Sequence, residues 1–222
     1  MLFVFAAGVL WSTVGLGIRL IEEAGVWQIL LYRSMAMSLF LYVVIRLRSG
    51  ENPFVQLRRT GFAAVVAALS LLAAYSGAIY AIQNTSVANA MLLFATAPFL
   101  TAILAWMVLR EPVRRATWIA IVIALGGIAI MVADKSGSVV LKGSLAALGS
   151  ALGFAVFTVA LRWGRTSEML PSVFLSGLFG VVITFAICQL QGPSLAISLN
   201  DGSVAFAMGI FQAVSYTHLR AH

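Results

Sequence analysis

One arginine stands where a solvated cation has no ready place. Arg33 follows Trp27 by six residues inside an apolar run, roughly 9 Å down a helix at helical rise. A guanidinium at that depth in hydrocarbon is costly, so by default it faces a cavity or a partner. It would then be an anchor or a gate for an anionic or carboxylate group. The competing reading is an arginine that snorkels to the near surface or holds helix-end carbonyls. Trp11, Ser12, Tyr75, Asn89 and Thr96 are the other polar and aromatic candidates within apolar runs. A mostly apolar cavity with a few placed hydrogen-bonding groups is what a small-molecule site needs. The competing reading for Ser and Thr is a bond back to their own helix; for Trp11 and Tyr75 it is packing or lipid contact. Pro98 lies near the middle of the run from Val87 to Leu109. Proline removes a helix hydrogen bond and crowds the preceding turn, which predicts a bend near Thr96 and Ala97. Bent backbone at membrane depth is tolerated only against protein or a wet cavity, and transporters place substrate at such points. A bend that only shapes packing is the alternative.

The elements that position these residues follow from composition. Mean hydropathy is +1.03, with 62% hydrophobic and 9% charged residues, which excludes an ordinary soluble domain. The fold class is an all-α polytopic membrane protein. The net charge of +7 is no nucleic-acid footprint, because the basic residues sit mostly in short loops, where they set topology. The expected partners are the lipid bilayer and a small-molecule substrate, not nucleic acid, with a homodimer left open. No cofactor is implied. The single cysteine, Cys188, permits no disulfide within the chain and no cysteine metal site. No cleavable leader is expected, since the first apolar run is of spanning length and lacks a basic start.

Apolar runs are expected at about Leu2–Leu20, Val26–Ile45, Gly61–Ile82, Val87–Leu109, Ala116–Val132, Gly143–Leu161 and Pro171–Leu190. An eighth, Val204–Val214, is too short to cross a hydrocarbon core of roughly 30 Å. The longest loop is expected after the second run, and Lys142 falls in a loop before the sixth. Lys and Arg in the loops after the second, fourth and sixth runs number nine against three on the opposite side. The basic side is read as cytoplasmic, with the N-terminus inside.

A faint internal repeat accompanies this pattern. A shift of 143 positions brings Trp11 onto Phe154 and Arg19 onto Arg162, and one more residue brings Trp27 onto Pro171. The copies are offset by an odd number of helices and would insert in opposite orientations, as in many secondary transporters. The seven acidic residues, Glu22, Glu23, Glu51, Glu111, Asp134, Glu168 and Asp201, all fall at helix ends or in loops. No carboxylate is placed at mid-membrane to carry a proton or to balance a lipophilic cation.

The stretches "GVLWSTVG", "LYRSMAMSLFLYVV" and "TAPFLTAILAWMVLREPVRRATWIAIVIALGGI" resemble the EamA family of the drug/metabolite transporter superfamily. The family's proline, cytoplasmic Glu, helix-opening Trp and Gly pair match Pro98, Glu111, Trp118, Gly126 and Gly127. The resemblance covers about Leu2 to Ala213. It implies ten helices in two inverted five-helix repeats, with both ends cytoplasmic and a central cavity. Residues 1–133 would be the first repeat and 143–213 part of the second, so the chain is expected to be truncated to about seven helices plus part of the eighth. Glu111 is expected to pair locally with Arg110, Arg114 or Arg115, and the Gly pair to give close packing. The tail 214–222, "VSYTHLRAH", resembles translated adaptor read-through, so no function is assigned to it. The small multidrug-resistance branch relies on a Glu in its first helix, and none precedes Glu22 here, which disfavours a cation/proton exchanger of that type. The expected function is secondary transport of a small metabolite by alternating access, with export of an amino acid or related metabolite as the family's usual theme. The alternatives are a pore or structural membrane subunit, and an intramembrane enzyme. For the last there is no histidine outside the tail.

Overall fold

A computed structural model of the chain describes residues 14–133, 138–164, 169–191 and 194–218. Trp11 and Ser12 lie outside the described residues, and of the first apolar run only α1, residues 14–20, is described. Helix α2 spans Val26–Ser49 and ends at Gly50, whose φ of 67° lets its N–H close onto the Arg46 carbonyl. Arg46 and Arg48 in the last turn face the negative end of the helix dipole.

The stretch expected to be the longest loop is mostly helix. Asn52 caps and Pro53 opens α3, Pro53–Asn84. Gly61, with φ 68° and ψ −167°, breaks it into a short surface segment and a span. Only a residue without Cβ takes that backbone without strain. Asn-Pro at the start was a legible helix-opening pair.

The fourth run is broken, as Pro98 predicts. Helix α4 is Val87–Phe94, capped by Ser86, and α5 is Ala97–Leu104. The turn falls at Ala95 and Thr96. After α5 comes a π-helical turn, Ala105–Leu109, closed by Arg110 in a left-handed conformation. Helix α6 is Arg115–Ala133. Helix α7, Ser138–Trp163, begins five residues before the expected Gly143, so Lys142 is helical rather than in a loop. Helices α8, Leu170–Gln191, and α9, Leu199–His218, complete the described chain. The short apolar run Val204–Val214 is thus the centre of a 20-residue helix extended by polar turns at each end.

Among the described residues, five helices are long and apolar enough to cross a membrane: Val26–Ser49, Gly61–Asn84, Val87–Leu109, Leu141–Trp163 and Leu170–Leu190. The apolar stretch of α6, Arg115–Ile130, is shorter. The chain is an all-α polytopic membrane protein. Its packed centre joins α3 to α7 and α8, and α2 to α8 and α9, around Ile29, Leu30, Met37, Leu71, Phe157 and Phe174. Glycine sets the closest approach: a Cβ on Gly153 would stand 2.8 Å from the Ser70 carbonyl oxygen, and one on Gly77 would stand 2.9 Å from that of Ala146. Large apolar side chains such as Phe62, Val122, Ile130 and Leu190 stay exposed on the outside, where lipid rather than water is the fitting solvent.

Candidate functional site

A cavity of about 450 Å³ opens between α3, the α4–α5 break, α7 and α9. Its walls are mostly apolar, with Ile82, Met91, Phe94 and Phe154 among them. Ala95 and Ala97 flank the break and face the cavity. The polar groups on the wall are Tyr75, Ser150 and Gln212. Ser150 donates to the Ala74 carbonyl at 2.7 Å, which ties α7 to α3.

Arg33 lies behind that wall and is 1% exposed. Both groups it engages line the cavity. The guanidinium carbon sits 3.7 Å from the centroid of the Tyr75 ring, a cation–π contact worth about 2 kcal/mol when desolvated. Its Nε donates to Gln212 Oε1. Nη1 and Nη2 are buried and find no hydrogen-bond partner among the described residues. The arginine therefore does not snorkel: it is buried behind Tyr75 and Gln212, which line the cavity. The Tyr75 hydroxyl donates to the Tyr216 hydroxyl at 2.9 Å. Tyr216 belongs to the tail 214–222, of which residues 214–218 continue α9. Arg33, Tyr75 and Gln212 all precede Val214 and make the constellation without it.

Residues 1–133 match the model of the EamA-like transporter family. The chain belongs to that family. It is also 28% identical over 168 residues to "Uncharacterized transporter YwfM" of Bacillus subtilis (strain 168), a match covering 71% of this chain and 53% of that protein. The chain thus spans about half the length of that curated relative. No solved structure matches.

Several residues picked from the sequence of this EamA-like chain lie away from the cavity. Thr96 sits at the break but faces the other way, into a pocket of about 320 Å³ between α5, α6 and α7. Its hydroxyl donates to the Leu93 carbonyl at 2.7 Å, a bond back to its own helix. Asn89 is buried and donates to Thr85 Oγ1 at 2.9 Å and Ser144 Oγ at 3.0 Å, fastening α4 to α7. Pro98 lines a third pocket near the hairpin, with Glu111, Arg114 and Arg162. Pro98 shapes the helix, and its neighbours Ala95 and Ala97 face the cavity.

Two expectations about the hairpin change. Glu111 does not pair with Arg110, Arg114 or Arg115. Its Oε1 meets Arg162 Nη2 at 2.6 Å, across from the end of α7. Arg110 turns the chain with φ 55°, and the ion pair forms with the helix end opposite instead of within the loop. Among the described residues Gly126 and Gly127 give no close packing, since a Cβ on either meets nothing within 4 Å. Over residues 115–130 helix α6 buries one edge, at Ile121, and its other faces are open. Trp118 stacks edge-on against Trp106, with ring centroids 5.4 Å apart.

Gln212 and Ser150 escaped the sequence reading. Gln212 is a lone amide in the apolar run of α9, and that isolation was a usable signal. Ser150 stands in a small-residue stretch, "GSALG", where nothing in the pattern separates it from a packing residue.

Proposed function

We propose that the chain is part of a secondary transporter that carries a small metabolite through this cavity by alternating access. The observation that carries the reading is the cavity of about 450 Å³ set against a broken helix in a chain of the EamA-like transporter family. Broken helices at mid-membrane are where transporters hold substrate, and the volume suits a small ligand. The reading includes two inverted repeats, 1–133 and 143–213, within a ten-helix carrier. Helix directions support it. Helix α1 runs toward Thr85, which accepts from Arg19, whereas α7 runs away from Thr85, beside Gly143, toward Arg162 at the hairpin. Helices α2 and α8 likewise run in opposite directions, with the start of α8 beside Phe54 through Phe174. The chain's span of about half the relative's length is also in keeping with it.

The proposed membrane is the bacterial cytoplasmic membrane, with the N-terminus and the basic loops inside. Metabolites with a polar head and a small body, amino acids and their relatives among them, are the expected cargo. Uptake into proteoliposomes, measured against concentration with a panel of labelled amino acids and carboxylates, tests the reading. A carrier saturates. Linear uptake for every solute that crosses would favour a pore, and no flux at all would favour a structural subunit.

A further inference from the structure

We infer that Gln212 is a specificity-determining residue of the cavity: its side-chain NH2 takes an acceptor oxygen of the ligand, and Arg33, which touches no ligand, is the positioning residue that turns that end of the amide to the cavity. This rests on the transport reading for the ligand's role and on the cavity alone for its chemistry.

A glutamine amide has two unlike ends, and its partners decide which end points where. Arg33 Nε donates to Gln212 Oε1. Arginine carries donors only, so the oxygen is the end that must meet it. Arg33 lies behind the wall while Gln212 is part of it, which leaves the opposite end of the amide, Nε2, on the cavity side. Among the described residues Nε2 has no hydrogen-bond partner, yet it is not shut away as Arg33 Nη1 and Nη2 are. The residue is 4% exposed, so the opening is narrow and belongs to the cavity.

The helix that carries this amide is held in register. Gly209, three residues earlier and on the same face of α9, lies against α2, where a Cβ would collide with the Arg33 carbonyl oxygen. The backbone approach at Gly209 and the amide bond at Gln212 both land on Arg33. Helix α9 therefore cannot slide or turn on α2 without losing both. The wall around the cavity is mostly apolar, through Val14, Ile82, Met91 and Phe94. In such surroundings a donor that loses water and gains nothing costs binding, and a donor that gains an acceptor does not. The preferred ligand thus sets a carbonyl, amide or carboxylate oxygen on an apolar body.

The test uses the purified chain in lipid nanodiscs, with isotope-labelled glutamine side-chain amides read by NMR. The Gln212 signal is assigned by its loss in Gln212→Met. Three probes share one ring: cyclohexanone offers an acceptor, cyclohexanol an acceptor and a donor, and methylenecyclohexane neither. Probe binding is read by ligand-observed NMR, with empty nanodiscs as the blank. Cyclohexanone should saturate, move the Gln212 signal and bind about 10-fold more tightly than methylenecyclohexane, the worth of one neutral hydrogen bond. Gln212→Met should abolish that preference by weakening cyclohexanone alone. Gln212→Glu keeps Arg33 as its partner but presents an oxygen, so cyclohexanone should lose its site while cyclohexanol, which donates, keeps it. Arg33→Met frees the amide to turn over. The Gln212 signal should then move before any ligand is added, and the preference for cyclohexanone should shrink with methylenecyclohexane unchanged. A merely structural role for Arg33 would weaken both probes alike and sink the positioning claim. Cyclohexanone that does not bind, or that saturates without moving the Gln212 signal, overturns the inference. So does a folded Gln212→Met or Gln212→Glu protein that binds cyclohexanone normally. Should the variants fail to fold, the ranking of cyclohexanone against methylenecyclohexane on the unaltered chain decides. Cyclohexanone binding at Gln212 without saturable flux of any solute would remove the transport reading and leave this one standing. Saturable flux that Gln212→Met leaves unchanged would do the reverse.

Discussion

Asp201 fastens two loops with one carboxylate. It stands three residues ahead of the apolar run that begins at Val204, and it is 1% exposed. Oδ1 accepts from the Glu22 N–H at 3.2 Å, and Oδ2 accepts from those of Glu23 at 3.1 Å and Ala24 at 3.0 Å. Burial pushes this carboxyl up. The N–H donors of Glu23, Glu22 and Ala24 and the Ser198 contact more than offset it, and it titrates below the usual range. A depressed carboxyl adds stability that is fully present above the unfolded value, about 3.9, and is lost as pH falls through the lower folded value. The melting temperature in detergent should therefore drop as pH is taken from 5 toward 3. Asp201→Asn should cost about 1.5 kcal/mol at pH 7, the low end for a hydrogen bond to a charged group because the amide oxygen still accepts from part of the same N–H set, and should flatten that acid slope. An unchanged slope in the variant would place the acid sensitivity elsewhere. The sequence marked Asp201 as an acid at a helix end and nothing more. Its donors are backbone groups some 180 positions away, and a backbone N–H leaves no trace in residue type. Arg33 was legible for the opposite reason: a charge in an apolar run announces its own cost, although its partner Gln212 is known only once α9 is laid on α2.

At the scale of the element, the broken helix Val87–Leu109 was the most legible part of the fold, because proline acts on its own helix and needs no tertiary context. What the sequence could not reveal was which way each residue near the break faces. Ala95 and Ala97 line the cavity while Thr96 points to the far side, so the polar residue was the wrong marker there. Gly126 and Gly127 misled for a related reason. Small residues permit close approach, but they do not create a neighbour, and α6 has none at that face among the described residues. The break makes a specific claim on function. Pro98→Ala returns an N–H to the helix and removes the ring from the preceding turn. Thermal stability in detergent should rise, while saturable flux in proteoliposomes should fall, because a straighter helix closes the wall that Ala95 and Ala97 supply. Flux that is undiminished in a stabilised variant would show that the bend serves packing alone.

For the whole molecule the two ends are held differently. At one end Arg19 donates to the Thr85 carbonyl, Gln28 to that of Ser194 and Tyr32 to that of Leu195, alongside the Asp201 clasp. At the other the exposed Glu111–Arg162 ion pair joins the hairpin to α7. An exposed pair contributes little stability, and at the same end Arg48 donates to the Thr217 carbonyl at 3.2 Å, joining α2 to α9. The orientation of these ends rests on charge. Among the described residues Arg46, Arg48, Arg58, Arg110, Arg114, Arg115 and Arg162 lie at the hairpin end, and positive residues are retained on the cytoplasmic side. The clasped end should then face out. Cys188 is buried and is the sole cysteine, so a Cys188→Ser background gives a clean labelling test. Glu22→Cys, in the exposed loop after α1, should react with a membrane-impermeant maleimide on intact cells. Arg58→Cys, exposed on the surface segment of α3, should react only after the cells are permeabilised. The reverse pattern would invert the molecule and make the clasped end the cytoplasmic one, with the Glu111–Arg162 pair on the outward side.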